Sequence, residues 1–182
     1  KESLELMKEA GCHTIIIGVE SGEEAILKIY KKGYDLDRVM SIFKLCHKMK
    51  IRTVGTFILG FPEDTKDSCL KTIQLSKKLR CDFASFHVAV PRAGTSLRKK
   101  AIQIGLINDS LRSMDQSGST ITMPTQKLTK EEMLRFKKKA VREFYLRPKY
   151  LLNRISSCNS FGEILEQIRE GWFLVRSNLN MD

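Results

Sequence analysis

A carboxylate and a hydroxyl, Glu20 and Ser21, follow directly on the apolar run Thr14-Ile15-Ile16-Ile17-Gly18-Val19, and Gly22 closes the group. The run reads as a strand buried on both faces that delivers polar groups at its C-terminal tip. In α/β folds, ligands collect where the carboxyl ends of strands meet helix N-termini, so Glu20 and Ser21 stand where chemistry is expected. A structural reading fits the same residues. Ser21 with Glu24 three positions on spells a capping box, opening a helix that runs to about Lys31.

Two further tips repeat the pattern. Residues 52–59 (RTVGTFIL) are rich in β-branched and apolar types and stop at Gly60-Phe61-Pro62; residues 82–90 (DFASFHVAV) stop at Pro91-Arg92-Ala93-Gly94-Thr95. Helical sequence separates the three strands. Asp35 is placed to cap a helix over residues 36–49, with Val39, Met40, Phe43, Cys46 and Met49 on one stripe. Asp64 or Thr65 caps the next helix, whose Cys69, Leu70, Ile73 and Leu79 again share a face. Strands alternating with helices in this way predict βα repeats in a parallel sheet. Their crossovers are right-handed, so the three tips fall along one rim. Three strands cannot close a barrel, and the partners they lack are expected before Lys1. Residues 1–10 already read as helix, with no initiator Met, as in a piece of a longer protein.

Beyond Thr95 the character changes. Residues 97–106 suit a helix, and residues 108–126 are polar and Ser-rich, as in a loop over the surface. Thr129 with Glu132 makes a capping box for a helix to about Leu146, and Pro148 starts a short one. Ser160 with Glu163 opens a last helix with Ile164, Leu165, Ile168 and Trp172 on its apolar stripe. The expected division is therefore residues 1–97 for the sheet region, 98–128 for a connection and 129–182 for a helical tail.

The 182 residues carry a net charge of +11, and 42% of them are hydrophobic, which excludes a disordered chain. Residues 127–149 hold nine basic against three acidic side chains, so more than half of the surplus sits on one helical segment. Phe136, Phe144 and Tyr145 fall on the buried stripe of that segment, so a solvated cationic face is favoured over a nucleic-acid surface. Five cysteines, Cys12, Cys46, Cys69, Cys81 and Cys158, lie far apart, with no metal-site or disulfide spacing. Cys46 and Cys69, on apolar faces of the expected helices, read as core residues in a reducing cytoplasm. No apolar run approaches the roughly 20 residues that span a bilayer. His87 lies within the third strand, and its packing under a helix is preferred to a position facing substrate.

Taken together, Gly18-Val19-Glu20-Ser21-Gly22, Lys31-Lys32-Gly33, Gly60-Phe61-Pro62-Glu63-Asp64-Thr65 and Pro91-Arg92-Ala93-Gly94-Thr95 resemble the C-terminal half of a radical S-adenosylmethionine (SAM) enzyme. The likeness is greatest to the subgroup with an N-terminal cobalamin-binding domain. It implies an α/β fold, a partial (β/α) TIM-like barrel fragment with parallel strands followed by an α-helical C-terminal tail. It further implies SAM at the rim beside a four-iron four-sulfur cluster, and cobalamin in some members. Carried onto this chain, Glu20 and Ser21 would meet the ribose or methionine of SAM. Ile58 and Gly60 would lie against adenine, and the backbone at Pro91 would close the pocket. None of these residues breaks bonds, so no catalytic or metal-binding residue is assigned here.

The family's CxxxCxxC loop does not occur in the chain, so the cluster ligands are expected upstream and the chain alone is expected to be inactive. Thr56 stands where Gly is frequent, Glu63 where many members have Gly, and Arg92-Ala93 where a Pro is common. The implied function is reductive cleavage of SAM to start radical chemistry, by methyl transfer, cyclisation or a related reaction on a small molecule. The expected partner is the rest of its own polypeptide. A basic nucleic-acid-binding or tRNA-modification-associated module without catalysis of its own is the alternative.

Overall fold

Along the second strand Thr53, Gly55, Phe57 and Leu59 are buried, while Arg52, Val54, Thr56 and Ile58 between them are not. That alternation is the key to the architecture, seen in a computed structural model that describes residues 1–111 and 121–156, with 162, 165 and 169. The elements in order are α1 (Glu2–Glu9), β1 (Thr14–Glu20), α2 (Glu24–Ile29), α3 (Leu36–Lys48), β2 (Arg52–Leu59), α4 (Lys66–Lys78), β3 (Phe83–Val88), α5 (Ser96–Gln103), α6 (Lys130–Tyr145) and α7 (Pro148–Ser156). The three strands form one sheet in the order β1-β2-β3, with both pairings parallel. The α/β class with parallel strands, followed by helices, is the one expected from sequence.

One face of the sheet is covered. Val19, Phe57, Leu59, Ala84 and Phe86 pack with Phe43 of α3, Ile73 of α4, and Met133, Val141 and Phe144 of α6. Aromatic rings tie the layers together: Phe57 stacks on Phe86 at 5.2 Å, and Phe144 meets Phe86 edge-on at 6.3 Å. Each such fully buried ring contributes roughly 1.5–3 kcal/mol by leaving water. Cys46, Cys69 and Cys81 are buried free thiols in this layer, and burial pushes the Cys81 thiol up to about 11, so they act as small apolar residues.

The other face differs from expectation. Instead of strands buried on both sides, Ile16 of β1 is 71% exposed, and Val54, Thr56, Ile58, Phe83, Ser85 and His87 are only half-buried. The apolar run marks what can be buried, but among the described residues no layer of helices covers this side.

Local rules explain most element ends. Asp35 accepts from Arg38 N at 2.7 Å, and Thr65 and Thr129 each sit in a reciprocal capping box, with Ser68 and Glu132 respectively. Pro148 opens α7. The capping box expected from Ser21 and Glu24 does not form. Gly22 is wedged against α4, where a Cβ would lie 2.6 Å from backbone atoms of Lys71 and Thr72, and its N–H donates to Thr72 Oγ1 at 2.8 Å. The chain cannot turn into a helix until it clears that contact. Glu23 therefore becomes the N-cap residue, and Ser21 Oγ accepts from Glu23 N at 3.1 Å.

Residues 121–126 differ from expectation as well. Expected as part of a surface loop, they bury Thr122, Met123 and Thr125. The helix expected from Ser160 and Glu163 lies outside the described residues; of its stripe only Leu165 is described, and it is exposed. No described helix is long and apolar enough to cross a membrane.

Candidate functional site

Parallel pairing puts the C-terminal ends of β1, β2 and β3 side by side, so Glu20, Gly60 and Pro91 follow the same edge of the sheet. The β1 tip is strained. Glu20 has φ +65, in the left-handed region, and the pairing with β2 shifts register between Gly18 and Glu20. A non-glycine residue held there costs of order 1–3 kcal/mol. Its carboxylate folds back over Gly18, where a Cβ would stand only 3.0 Å from Oε1 and 3.8 Å from Thr56 Oγ1. Glu20 and Thr56 thus share the uncovered face. Lys32 Nζ approaches Oε1 at 3.5 Å, while Oε2 is buried without any hydrogen-bond partner. An unsatisfied buried acceptor costs a further 1–3 kcal/mol or so. Backbone strain and an unpartnered buried oxygen thus meet on one residue of the rim.

Ser21 behaves otherwise. It is fully buried, and its hydroxyl is engaged with Glu23 N, so it shapes the turn that presents Glu20.

At the β2 tip, Gly60 has φ +90. Its N–H and that of Phe61 both donate to Asp64 Oδ2, at 2.8 and 3.0 Å, and Ser68 Oγ donates to Asp64 Oδ1 at 2.5 Å. Burial pushes the Asp64 carboxyl up to about 6 in spite of these donors, which pull it down. Asp64 therefore holds the tip loop and Thr65 caps the helix. Glu63 turns aside, accepting from Tyr30 Oη at 2.9 Å and pairing with Lys100. Tyr30 lies against Phe61 with ring centroids 4.5 Å apart, and Ile58 packs beside this smaller cluster with Met123 and Ala101.

At the β3 tip, Ala89 N donates to Leu59 O at 2.8 Å, extending the ladder beyond Val88. Pro91 is buried, and its carbonyl accepts from Arg98 Nη1 at 3.2 Å. Arg98, itself buried, also donates to the carbonyls of Asp109 and Leu111 at 2.8 and 3.1 Å.

Sequence reasoning missed a strap over these tips. Gln126 N donates to Pro62 O and Thr125 Oγ1 to Asp64 O, both at 2.9 Å, and Thr122 Oγ1 reaches Ala89 O at 3.4 Å. The signal was present in Thr122-Met123-Pro124-Thr125, β-branched and apolar types inside an otherwise Ser- and Asp-rich stretch.

His87 was expected to pack under a helix. It lies instead in the half-buried set of β3 with Ser85, whose Oγ is 2.9 Å from its Nε2. Among the described residues, no three His, Cys, Asp or Glu side chains converge in a group that could hold a metal. A cavity of about 830 Å³ lies at the opposite end of the sheet, lined by Arg80, Asp82, Arg147 and Tyr150 among others. It is remote from the strand tips. Its cations sit largely at the C-terminal ends of α3 and α4, where the helix dipole favours positive charge.

Comparison with known proteins bears on the rim directly. The Radical SAM superfamily profile matches residues 1–76, which include the β1 and β2 tips. An uncharacterized methyltransferase of Pyrococcus horikoshii is 37% identical over 158 residues, 85% of this chain and 34% of that protein. Cytidylyl-2-hydroxyethylphosphonate methyltransferase of Streptomyces wedmorensis is 26% identical over 133 residues, 68% of this chain and 25% of that protein. Bacteriochlorophyllide d C-12(1)-methyltransferase of Chlorobaculum tepidum is 35% identical over 95 residues, 52% and 21% of the two chains. The chain thus spans about a third or less of the length of these relatives.

Proposed function

This chain belongs to the radical SAM superfamily, and from that premise we propose that it is the later part of a catalytic barrel whose strand tips bind SAM for radical methyl transfer. The observation that carries this reading is Glu20, a strained carboxylate with a buried, unpartnered oxygen at a parallel-strand tip. Such an oxygen fits the hydroxyl or ammonium donors of SAM. Gly60, whose missing Cβ would press on Met133 at 3.3 Å and whose N–H is pinned by Asp64, holds the β2 tip in the left-handed turn that sets the backbone of the rim. Ile58 supplies apolar contact, and the Pro91 carbonyl, fixed by Arg98, closes the far side.

When bound, SAM would supply the radical chemistry, and this chain's residues would bind and orient it. The four-iron four-sulfur cluster does not fit here. Cys46, Cys69 and Cys81 are buried in the helix-covered layer, and the CxxxCxxC spacing is absent from the chain. Its ligands, and any cobalamin, would be held by the rest of the polypeptide. The uncovered sheet face and the exposed Ile16 fit the remainder of such a barrel. Methyltransferases named among the relatives support methyl transfer, and methylthiotransferases also named among them make methylthiolation the second reading of the radical start.

A nucleic-acid role has less support. Glu132 and Glu143 on α6 pair with Lys66 and Lys77 of α4 at 3.0 and 2.5 Å, and Phe136, Phe144 and Tyr145 pack inward.

The test uses the full polypeptide that contains this chain, anaerobically loaded with its cluster and given a chemical reductant. It should release 5′-deoxyadenosine from SAM, and Glu20→Gln should lower that rate at least tenfold. Absence of the product from cluster-loaded protein would overturn the proposal.

A further inference from the structure

We propose that His87, backed by Ser85, is a second polar anchor for the adenosyl ligand, at the opposite side of the cradle from Glu20. The inference rests on the SAM-binding reading of the rim and adds to it a residue and an orientation.

Gly18 pairs with Thr56 and Thr56 with Ser85, so these three occupy one row across the sheet; Ile58 pairs with His87 in the row above, nearer the tips. In a parallel sheet, paired residues point to the same face. Here that is the uncovered one, because the alternate positions Phe57, Ala84, Phe86 and Val88 are buried against helices.

The row of Gly18, Thr56 and Ser85 carries the smallest side chains of this face. The row beneath it is bulkier, with Ile16 and Val54 followed on β3 by Phe83. Over this row the Glu20 carboxylate folds back onto Gly18 from the β1 side, and His87 reaches Ser85 from the β3 side, with Thr56 between them. The outer strands lie two spacings apart, or about 10 Å, a span suited to an extended nucleoside held between the two side chains.

The two ends are chemically complementary to such a ligand. Glu20 offers an acceptor with a free oxygen. His87 has Nε2 engaged by Ser85 Oγ at 2.9 Å, and among the described residues nothing bonds its Nδ1. The serine hydroxyl can donate or accept, so Nδ1 can present either a lone pair or an N–H to the ligand. The other two histidines are committed elsewhere: His47 Nε2 lies 2.8 Å from Arg80 O, and His13 Nδ1 2.8 Å from Thr14 Oγ1.

S-adenosylhomocysteine is the probe, titrated calorimetrically into the full, cluster-loaded polypeptide under anaerobic conditions. His87→Ala should weaken binding about tenfold, as expected for one hydrogen bond to a ligand, with partial recovery in His87→Asn and a smaller loss in Ser85→Ala. In protein labelled with 15N-histidine, ligand should move the His87 Nδ1 resonance, which a merely structural side chain would not show. If Glu20→Gln weakens binding while His87→Ala and His87→Asn bind as wild type, the inference fails and the SAM-binding reading stands. If wild-type protein does not bind the probe, both fail.

Discussion

The two faces of the three-stranded sheet are made from the same strands but follow opposite rules. On the covered face, large apolar side chains interlock with α3, α4 and α6, and the polar groups there are satisfied locally. On the uncovered face, a glycine, two small hydroxyl residues and a histidine stand beside a strained carboxylate with an unpartnered oxygen. The first arrangement lowers the free energy of the folded chain. The second raises it, and is explicable if a ligand supplies the missing partners. Stability and binding therefore separate by face, and substitutions should sort the same way.

The largest effect should come from the covered face. Phe144→Ala removes a fully buried ring that meets Phe86, Tyr145 and Tyr150 and carries the Arg147 guanidinium 4.2 Å from its centroid. A loss of about 3–5 kcal/mol in urea unfolding is expected, and a loss below about 1 kcal/mol would contradict the packing described.

Next comes Asp64. Its carboxyl, raised by burial from 3.8 to about 6, keeps its proton to higher pH in the folded than in the unfolded chain. Its contribution to stability is therefore full below about pH 4 and is lost as pH rises to about 6, a change of about 3 kcal/mol. Asp64→Asn should remove that slope; equal pH dependence in the two proteins would show that the carboxyl titrates alike in the folded and unfolded chains, against the raised value.

Gly22→Ala pushes a Cβ to 2.6 Å from the α4 backbone, and should cost about 1–3 kcal/mol while shifting the start of α2. Gly18→Ala, on the uncovered face, displaces only the end of the Glu20 side chain. It should change the unfolding midpoint little but lower affinity for S-adenosylhomocysteine several-fold; the reverse pattern would erase the distinction between the faces. Ser85→Ala should be smallest in stability, within about 0.5 kcal/mol, as measured by thermal unfolding.

Much of this was legible in the sequence because short-range rules set it. The bounds of β2, the caps at Asp35 and Thr129, and the start of α7 at Pro148 each follow from a residue and its near neighbours. The parallel order followed from helices lying between the strands, and the alignment of Glu20, Gly60 and Pro91 from that order. What escaped depends on distant contacts. Ser21 fails to cap because Gly22 is held by Thr72, fifty residues away, and residues 121–126 are drawn inward by carbonyls at Pro62, Asp64 and Ala89. The orientation of His87 was ambiguous because FASFHV is apolar on one side and mixed on the other, and only the helices decide which side is covered. Asp64 and Thr65, alternative caps for α4, separate only in the fold, where Thr65 Oγ1 accepts from Ser68 N while Asp64 accepts from Gly60 and Phe61.

The central claim is that three parallel-strand tips form one cradle for an adenosyl ligand. Backbone hydrogen–deuterium exchange on the full, cluster-loaded polypeptide, with and without S-adenosylhomocysteine, tests it most directly. Slowed exchange should appear together at residues 18–22, 58–61 and 87–92, with none around Arg80 and Arg147. Protection confined to that opposite end, or absent from the tips while the ligand is bound, would contradict the account.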